Sequence, residues 1–139
     1  YIYFIYNIYG WRLLLDIIIS NASGKPIYEQ IVSQIKQLIL SNALQAGDAL
    51  PSMRLLAKDL RISVITTKRA YEELEREGFI ETIVGKGSFV ASKNEDFLKE
   101  EQLRLIEGNI HKATALARQC GIAEEELASI IHLLYQEDI

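Results

Sequence analysis

Cysteine is nearly absent from this chain: Cys120 stands alone among 139 residues. A lone thiol excludes an internal disulfide framework and suits a reducing, cytoplasmic compartment. Long apolar runs are missing too. The uncharged opening stretch YIYFIYNIYGW stops at Arg12, short of the ~20 residues a membrane-spanning helix needs, so no membrane association is expected. It has neither the basic flank nor the small-residue cleavage site of a signal peptide. A phosphate loop, a His-Glu metal pair and a serine elbow are all lacking, and with them the usual marks of an enzyme. No catalytic residue and no cofactor are therefore expected. His111, His132 and Cys120 lack the spacing of a zinc site, so a metal is not expected either.

What is present is the composition of a soluble globular protein, with 49% hydrophobic and 24% charged residues. The length suits one compact domain, with room for a helical appendage. The net charge of −4 averages two unlike parts. Residues 1–94 carry 11 Lys and Arg against 9 Asp and Glu, a net of +2, whereas residues 95–139 carry 4 against 10, a net of −6. A mildly basic front and an acidic back place any phosphate contact in the front part.

The Tyr and Ile alternation of the opening permits a strand, but the ordinary domain pattern begins only near Asp16. Residues 1–15 are expected to be an N-terminal extension without function, a reading that mass spectrometry of the native protein tests. Asp16–Ile19 suits a short strand and Ser20–Lys25 a loop. Pro26 suits the first position of a helix. Ile27, Ile31, Ile35, Leu38 and Ile39 then form one apolar stripe that ends near Ser41 and Asn42. Gly47 and Asp48 read as a turn.

The stretch from Pro51 to Val90 organises the rest. Ser52 is placed to cap a helix that runs to about Leu60, with Leu56, Ala57 and Leu60 on its buried side. Arg61, Ile62 and Ser63 break the pattern, Ser63 capping a third helix from Val64 to about Glu77. Thr67, Ala70, Tyr71 and Leu74 share one face of it, and Gly78 stops it. Val64, Ile65, Lys68 and Arg69 lie opposite, near its N-terminus, where such an element meets a major groove. Strands to Val84 and from Ser88 to Ala91 then flank Gly85, Lys86 and Gly87, a tip free to approach another backbone. This is the order of a winged helix-turn-helix: mainly α, with a small β-wing, and a reader of double-stranded DNA.

Beyond Lys93 the pattern is helical alone. Leu103, Ile106, Ile110, Ala113, Ala117 and Cys120 recur at alternating steps of three and four, a coiled-coil seam that Gly121 ends. Glu124, Glu125 and Glu126 suit the positive end of a last helix, whose apolar side holds Leu127, Ile130, Ile131 and Leu134. Two helices joined by a tight turn do not bury both stripes alone. Residues 16–92 are therefore expected to form the DNA-binding domain and 95–139 a helical region for homodimerisation.

PIYEQI at Pro26–Ile31, GDALPSMRLLAKDL at Gly47–Leu60, TTKRAYEELEREGFI at Thr66–Ile80 and GKGSFV at Gly85–Val90 together resemble the GntR family of transcription regulators. The short helical tail resembles its YtrA subfamily. The resemblance implies a homodimeric repressor on an inverted-repeat operator, often controlling its own operon with transporter genes. It implies that Arg54 contacts operator DNA, that Lys68 reads bases, and that Gly85–Gly87 form the wing. Ser63, Thr66 and Thr67 match small polar positions at the helix start, where hydroxyls and amides meet phosphates. Arg61 stands where relatives often have Gly, and Val64 and Ile65 where they carry Arg, Asn or Pro. An alternative for these two apolar residues is contact with thymine methyls. The 45 residues after position 94 leave little room for the effector pocket of larger relatives.

Each reading has a plainer competitor. Exposed Arg54, Lys58, Lys68, Arg69 and Lys86 are a solvated face in an arbitrary protein; the winged-helix setting favours DNA for Arg54, Lys68 and Lys86. Lys58 remains evenly balanced, as does Arg69, which has Glu72 and Glu73 as partners on its own helix. Ser52 and Ser63 are caps first and phosphate contacts second. Tyr71 fits the core rather than a base stack. The rival for the whole chain is a winged helix used for protein-protein interaction, which binding in rising salt distinguishes.

Overall fold

The computed structural model describes residues 2–7, 10–15, 17–92 and 95–137. The chain divides into two units, Tyr1–Leu98 and Lys99–Ile139. The first opens with strands β1 (Ile2–Asn7) and β2 (Gly10–Leu15), paired antiparallel with Ile2 opposite Leu15 and Asn7 opposite Gly10. Thus the strand alternative holds for the opening stretch.

The strand expected at Asp16–Ile19 is not formed: residues 17–20 are irregular, and Asp16 lies outside the described residues. Side-chain amides take the place of a neighbouring strand. Gln34 accepts from the Ile18 N–H at 2.9 Å and donates to its carbonyl at 2.8 Å. Gln30 accepts from the Ser20 N–H at 2.8 Å and donates to the Ser20 and Lys25 carbonyls, both at 2.9 Å. A carboxamide carries the same donor and acceptor as a peptide, so the segment is tied to the next helix without a ladder. A single 3-10 turn, Asn21–Ser23, lies in the expected loop.

Helix α1 spans Ile27–Leu40, with Pro26 at its N-cap rather than its first position. Ile31, Ile35 and Ile39 recur every four residues and are buried, as are Val32 and Leu40. Ile27 and Leu38, expected in the stripe, are half-buried. Helix α2 (Met53–Leu60) and helix α3 (Val64–Arg76) follow. α3 packs on both α1 and α2, burying Thr67, Ala70, Tyr71 and Leu74. Tyr71 is a core residue as expected. Its hydroxyl donates to the Pro51 carbonyl at 2.6 Å, and burial pushes its pKa well above the ordinary tyrosine range. At the end of α3, Gly78 takes a positive φ of 79°, and the Phe79 N–H donates to the Leu74 carbonyl at 2.8 Å. That bond turns the chain directly into the wing.

The wing is an antiparallel pair, β3 (Ile80–Ile83) and β4 (Gly87–Val90), with Ile80 opposite Val90. It starts one residue earlier on the return than expected, since Gly87 already pairs with Ile83. The presumed turn at Gly47–Asp48 also continues into a third line of pairing. Gly47 N–H donates to the Val90 carbonyl at 2.8 Å, Val90 N–H to Asp48 at 2.9 Å, and Leu50 N–H to Ser88 at 2.9 Å, around the bridge between Ala49 and Phe89. The wing is thereby tied to the segment that leads into α2. Phe79 and Phe97 meet edge to face, 6.0 Å between centroids.

In the second unit, α4 (Glu95–Cys120) continues from the first unit to Gly121, and α5 (Glu124–Gln136) follows. The corner repeats the ending of α3: Gly121 has φ 70°, and the Ile122 N–H donates to the Ala117 carbonyl at 2.8 Å. No helix among the described residues is long and apolar enough to cross a membrane.

Candidate nucleic-acid interface

The two serines cap as their positions predict. Ser52 Oγ accepts from the Leu55 N–H at 3.1 Å and Ser63 Oγ from the Ile65 N–H at 3.3 Å. Each satisfies an amide that the first helical turn leaves without an internal partner. Both serines are exposed.

Between the helices, Arg61 adopts the left-handed conformation, φ 55° and ψ 48°, and its N–H closes the end of α2 on the Ala57 and Lys58 carbonyls. A side chain there costs about 1–2 kcal/mol that glycine does not. The break is short because Ile62 N–H reaches back to the Ala57 carbonyl at 3.0 Å. Arg61 itself is exposed.

On α3 the outward residues separate into three kinds. Val64 and Ile65 are apolar and open, 42% and 78% exposed. Lys68 is exposed and lies 3.9 Å from Glu72, one turn on; so open a pair holds the ammonium only loosely. Arg69 is set apart: its guanidinium stacks on the Tyr28 ring, 3.8 Å from the centroid. The Tyr28 hydroxyl donates to Glu29 at 3.1 Å, and that bond raises its pKa. The partners expected for Arg69, Glu72 and Glu73, are turned instead to Lys68 and Arg76.

Thr66 is half-buried. Thr67 is not available at all: it is 0% exposed, with its hydroxyl 2.9 Å from the Met53 and Val64 carbonyls. The expectation that it contacts phosphate is therefore corrected. Its hydroxyl ties α3 to the start of α2 and has no path to a ligand.

At the wing tip, Gly85 and Gly87 have φ of 79° and 113°, and the Lys86 N–H closes the turn on the Ile83 carbonyl at 2.9 Å. Val84 and Lys86 are exposed at the apex. Among the described residues, neither Lys86 nor Arg54, on the first turn of α2, forms an ion pair. Such an arrangement offers cations to phosphates and an apolar turn to bases. Reading the sequence alone missed Tyr28, whose position gives no sign that it holds Arg69.

The residues expected to dimerise lie in the second unit. Leu103, Ile106, Ile110 and Ala113 on α4 and Ile130, Ile131 and Leu134 on α5 are exposed, and Leu127 is half-buried. Ala117 departs from the expectation. It is buried within its own chain, in the corner that Gly121 and Ile122 form, so it needs no partner for cover. Leu116, Leu133 and Tyr135 are exposed apolar residues that the seam pattern passed over. No group of three or more His, Cys, Asp or Glu among the described residues is placed to hold a metal.

Two helices at a tight break, followed by a glycine-tipped wing, make the first unit a winged helix-turn-helix. Residues 27–90 match the family described as "Bacterial regulatory proteins, gntR family". The chain is 38% identical over 109 residues to the HTH-type transcriptional repressor YtrA of Bacillus subtilis (strain 168), covering 78% of this chain and 84% of that one. It is also 38% identical over 108 residues to the HTH-type transcriptional regulator YhcF of the same organism, covering 76% and 86%. Among solved structures, a transcriptional regulator from Oenococcus oeni superposes with TM-score 0.65 at 29% identity, covering 84% of this chain and 97% of that one. YtrA from Sulfolobus acidocaldarius, a GntR-family transcription factor, superposes with TM-score 0.54 at 38% identity, covering 71% and 97%. The chain belongs to the GntR family of DNA-binding transcription regulators.

Proposed function

We propose that this chain is a cytoplasmic repressor, not an enzyme, that binds an inverted-repeat operator as a homodimer and controls its own operon, transporter genes included. One observation carries the DNA-binding part. α3 has one face closed into the core through Thr67, Ala70, Tyr71 and Leu74, while its other face stays open with Lys68 only loosely held by Glu72, and the wing tip exposes Lys86. Residues 16–92 form the reader in this proposal. Lys68, Val64 and Ile65 enter the major groove, Lys86 with Gly85 and Gly87 lies beside it, and Ser52, Arg54, Ser63 and Thr66 meet the backbone. Arg69 orients α3 through Tyr28.

Residues 95–139 hold two copies together through Leu103, Ile106, Ile110, Ala113, Leu127, Ile130, Ile131 and Leu134. Their support is the exposure of nearly all these side chains in a single chain, which water disfavours. The repressor role and the link to its own operon draw on the repressor among its relatives. Residues 1–15 take no part. A footprint on the DNA upstream of its own gene tests this reading. Two protected half-sites, inverted and separated by ~34 Å or a multiple of it, are expected; a uniform lack of protection contradicts it.

A further inference from the structure

The leading turn of α3 is unusual in what it withholds. A reader of base edges ordinarily presents hydrogen-bonding side chains there. Here Thr67 is turned into the core, Arg69 is stacked on Tyr28, and Thr66 is half-buried. Two adjacent side chains stand open, Val64 and Ile65, and neither has a polar atom. Ser63 and its capping bond to the Ile65 N–H fix the helix start, so both project from an ordered turn. Both are β-branched and therefore stiff, so they hold a fixed apolar surface rather than a flexible one.

We infer that Val64 and Ile65 are the specificity-determining residues of this chain, and that they read the C5-methyl groups of thymine in the major groove. This rests on the proposal that α3 enters that groove. The thymine methyl is the one apolar group on a base edge there, and it complements the two apolar side chains that stand open on this turn. Lys68, one turn along and only loosely held by Glu72, remains for an acceptor on a neighbouring base or phosphate. Burying one methyl corresponds to roughly three- to fivefold in affinity.

The test uses the full chain and duplexes it enriches from a random pool. Each thymine of the recovered half-site is replaced singly by deoxyuridine, which removes the methyl and leaves the pairing intact. At one or two thymines the wild-type chain should lose roughly three- to fivefold in Kd. Ile65→Ala or Val64→Ala should bind the thymine duplex more weakly and be indifferent to uridine at the same position. Both side chains are exposed, so neither variant opens the core. Wild-type binding that ignores uridine everywhere overturns the inference and leaves DNA binding standing. Sensitivity that survives in both alanine variants assigns the methyl contact to other residues and overturns it too. Failure to enrich any duplex removes the DNA-binding proposal, and this inference with it.

Discussion

Residues 51–90 and residues 99–139 treat their apolar side chains in opposite ways. In the first stretch Leu56, Ala57, Ala70, Tyr71, Leu74, Phe79 and Ile80 are almost wholly buried within one chain, and the residues left open are mostly charged, with apolar exposure confined to Val64 and Ile65 at the start of α3 and to Ile83 and Val84 at the wing. In the second, Leu103, Ile106, Ile110, Leu116, Ile130, Ile131, Leu133, Leu134 and Tyr135 remain exposed, and among the described residues Ala117 alone is buried. The difference separates two uses of the same residue types. A closed core makes a platform on which a few surface groups can be positioned. An open apolar seam on well-formed helices is half of an interface.

That contrast can be broken from either side. The largest effect is expected from Leu74→Ala, which removes a side chain with 0% exposure from the centre of the platform. It should cost about 2–5 kcal/mol in denaturant unfolding. A loss below about 0.5 kcal/mol, the range of ordinary surface substitutions, denies that this core is closed. Leu103→Glu combined with Ile110→Glu should leave the winged helix folded by circular dichroism but give a monomer in sedimentation, at least ~100-fold weaker in self-association, because an unpaired charge is costly to bury. A persistent dimer moves the interface elsewhere. Lys68→Ala should weaken operator binding by about 1–3 kcal/mol where the side chain reads a base, and Arg54→Ala should weaken it uniformly across sequences, as loss of a backbone contact does; unchanged affinity in both removes them from the site. The smallest effect belongs to Arg61→Gly. Relief of the left-handed strain, less the extra chain entropy of glycine, should stabilise the fold by about 0.5–1 kcal/mol. A loss of stability instead indicates that the Arg61 side chain holds the break.

Much of the platform was legible because its signals are local. Ser52 and Ser63 precede helices and cap them, the buried face of α3 follows from the spacing of Thr67, Ala70, Tyr71 and Leu74, and Gly78 ends the helix. What escaped depends on residues distant along the chain. The bridge between Ala49 and Phe89 exists only once the wing has folded back, and the amides of Gln30 and Gln34 substitute for a strand only once α1 is beside residues 18–20. The same holds for Arg69, whose partner proved to be Tyr28 rather than an acid on its own helix. Thr67 was misread because a hydroxyl beside a helix start suits either a phosphate or a neighbouring carbonyl, and packing on α2 decided for the carbonyl. Ala117 fits the seam by spacing, yet the corner after Gly121 folds over it.

Whether the open face of α3 and the wing hold duplex DNA is decided most directly by titrating the full chain onto an operator duplex at increasing salt. The logarithm of the binding constant should fall linearly with the logarithm of salt concentration, by about 0.9 for each phosphate contacted, and Lys86→Ala should make the slope shallower by about one contact. Binding that does not change with salt would contradict DNA recognition by this face and favour a protein partner.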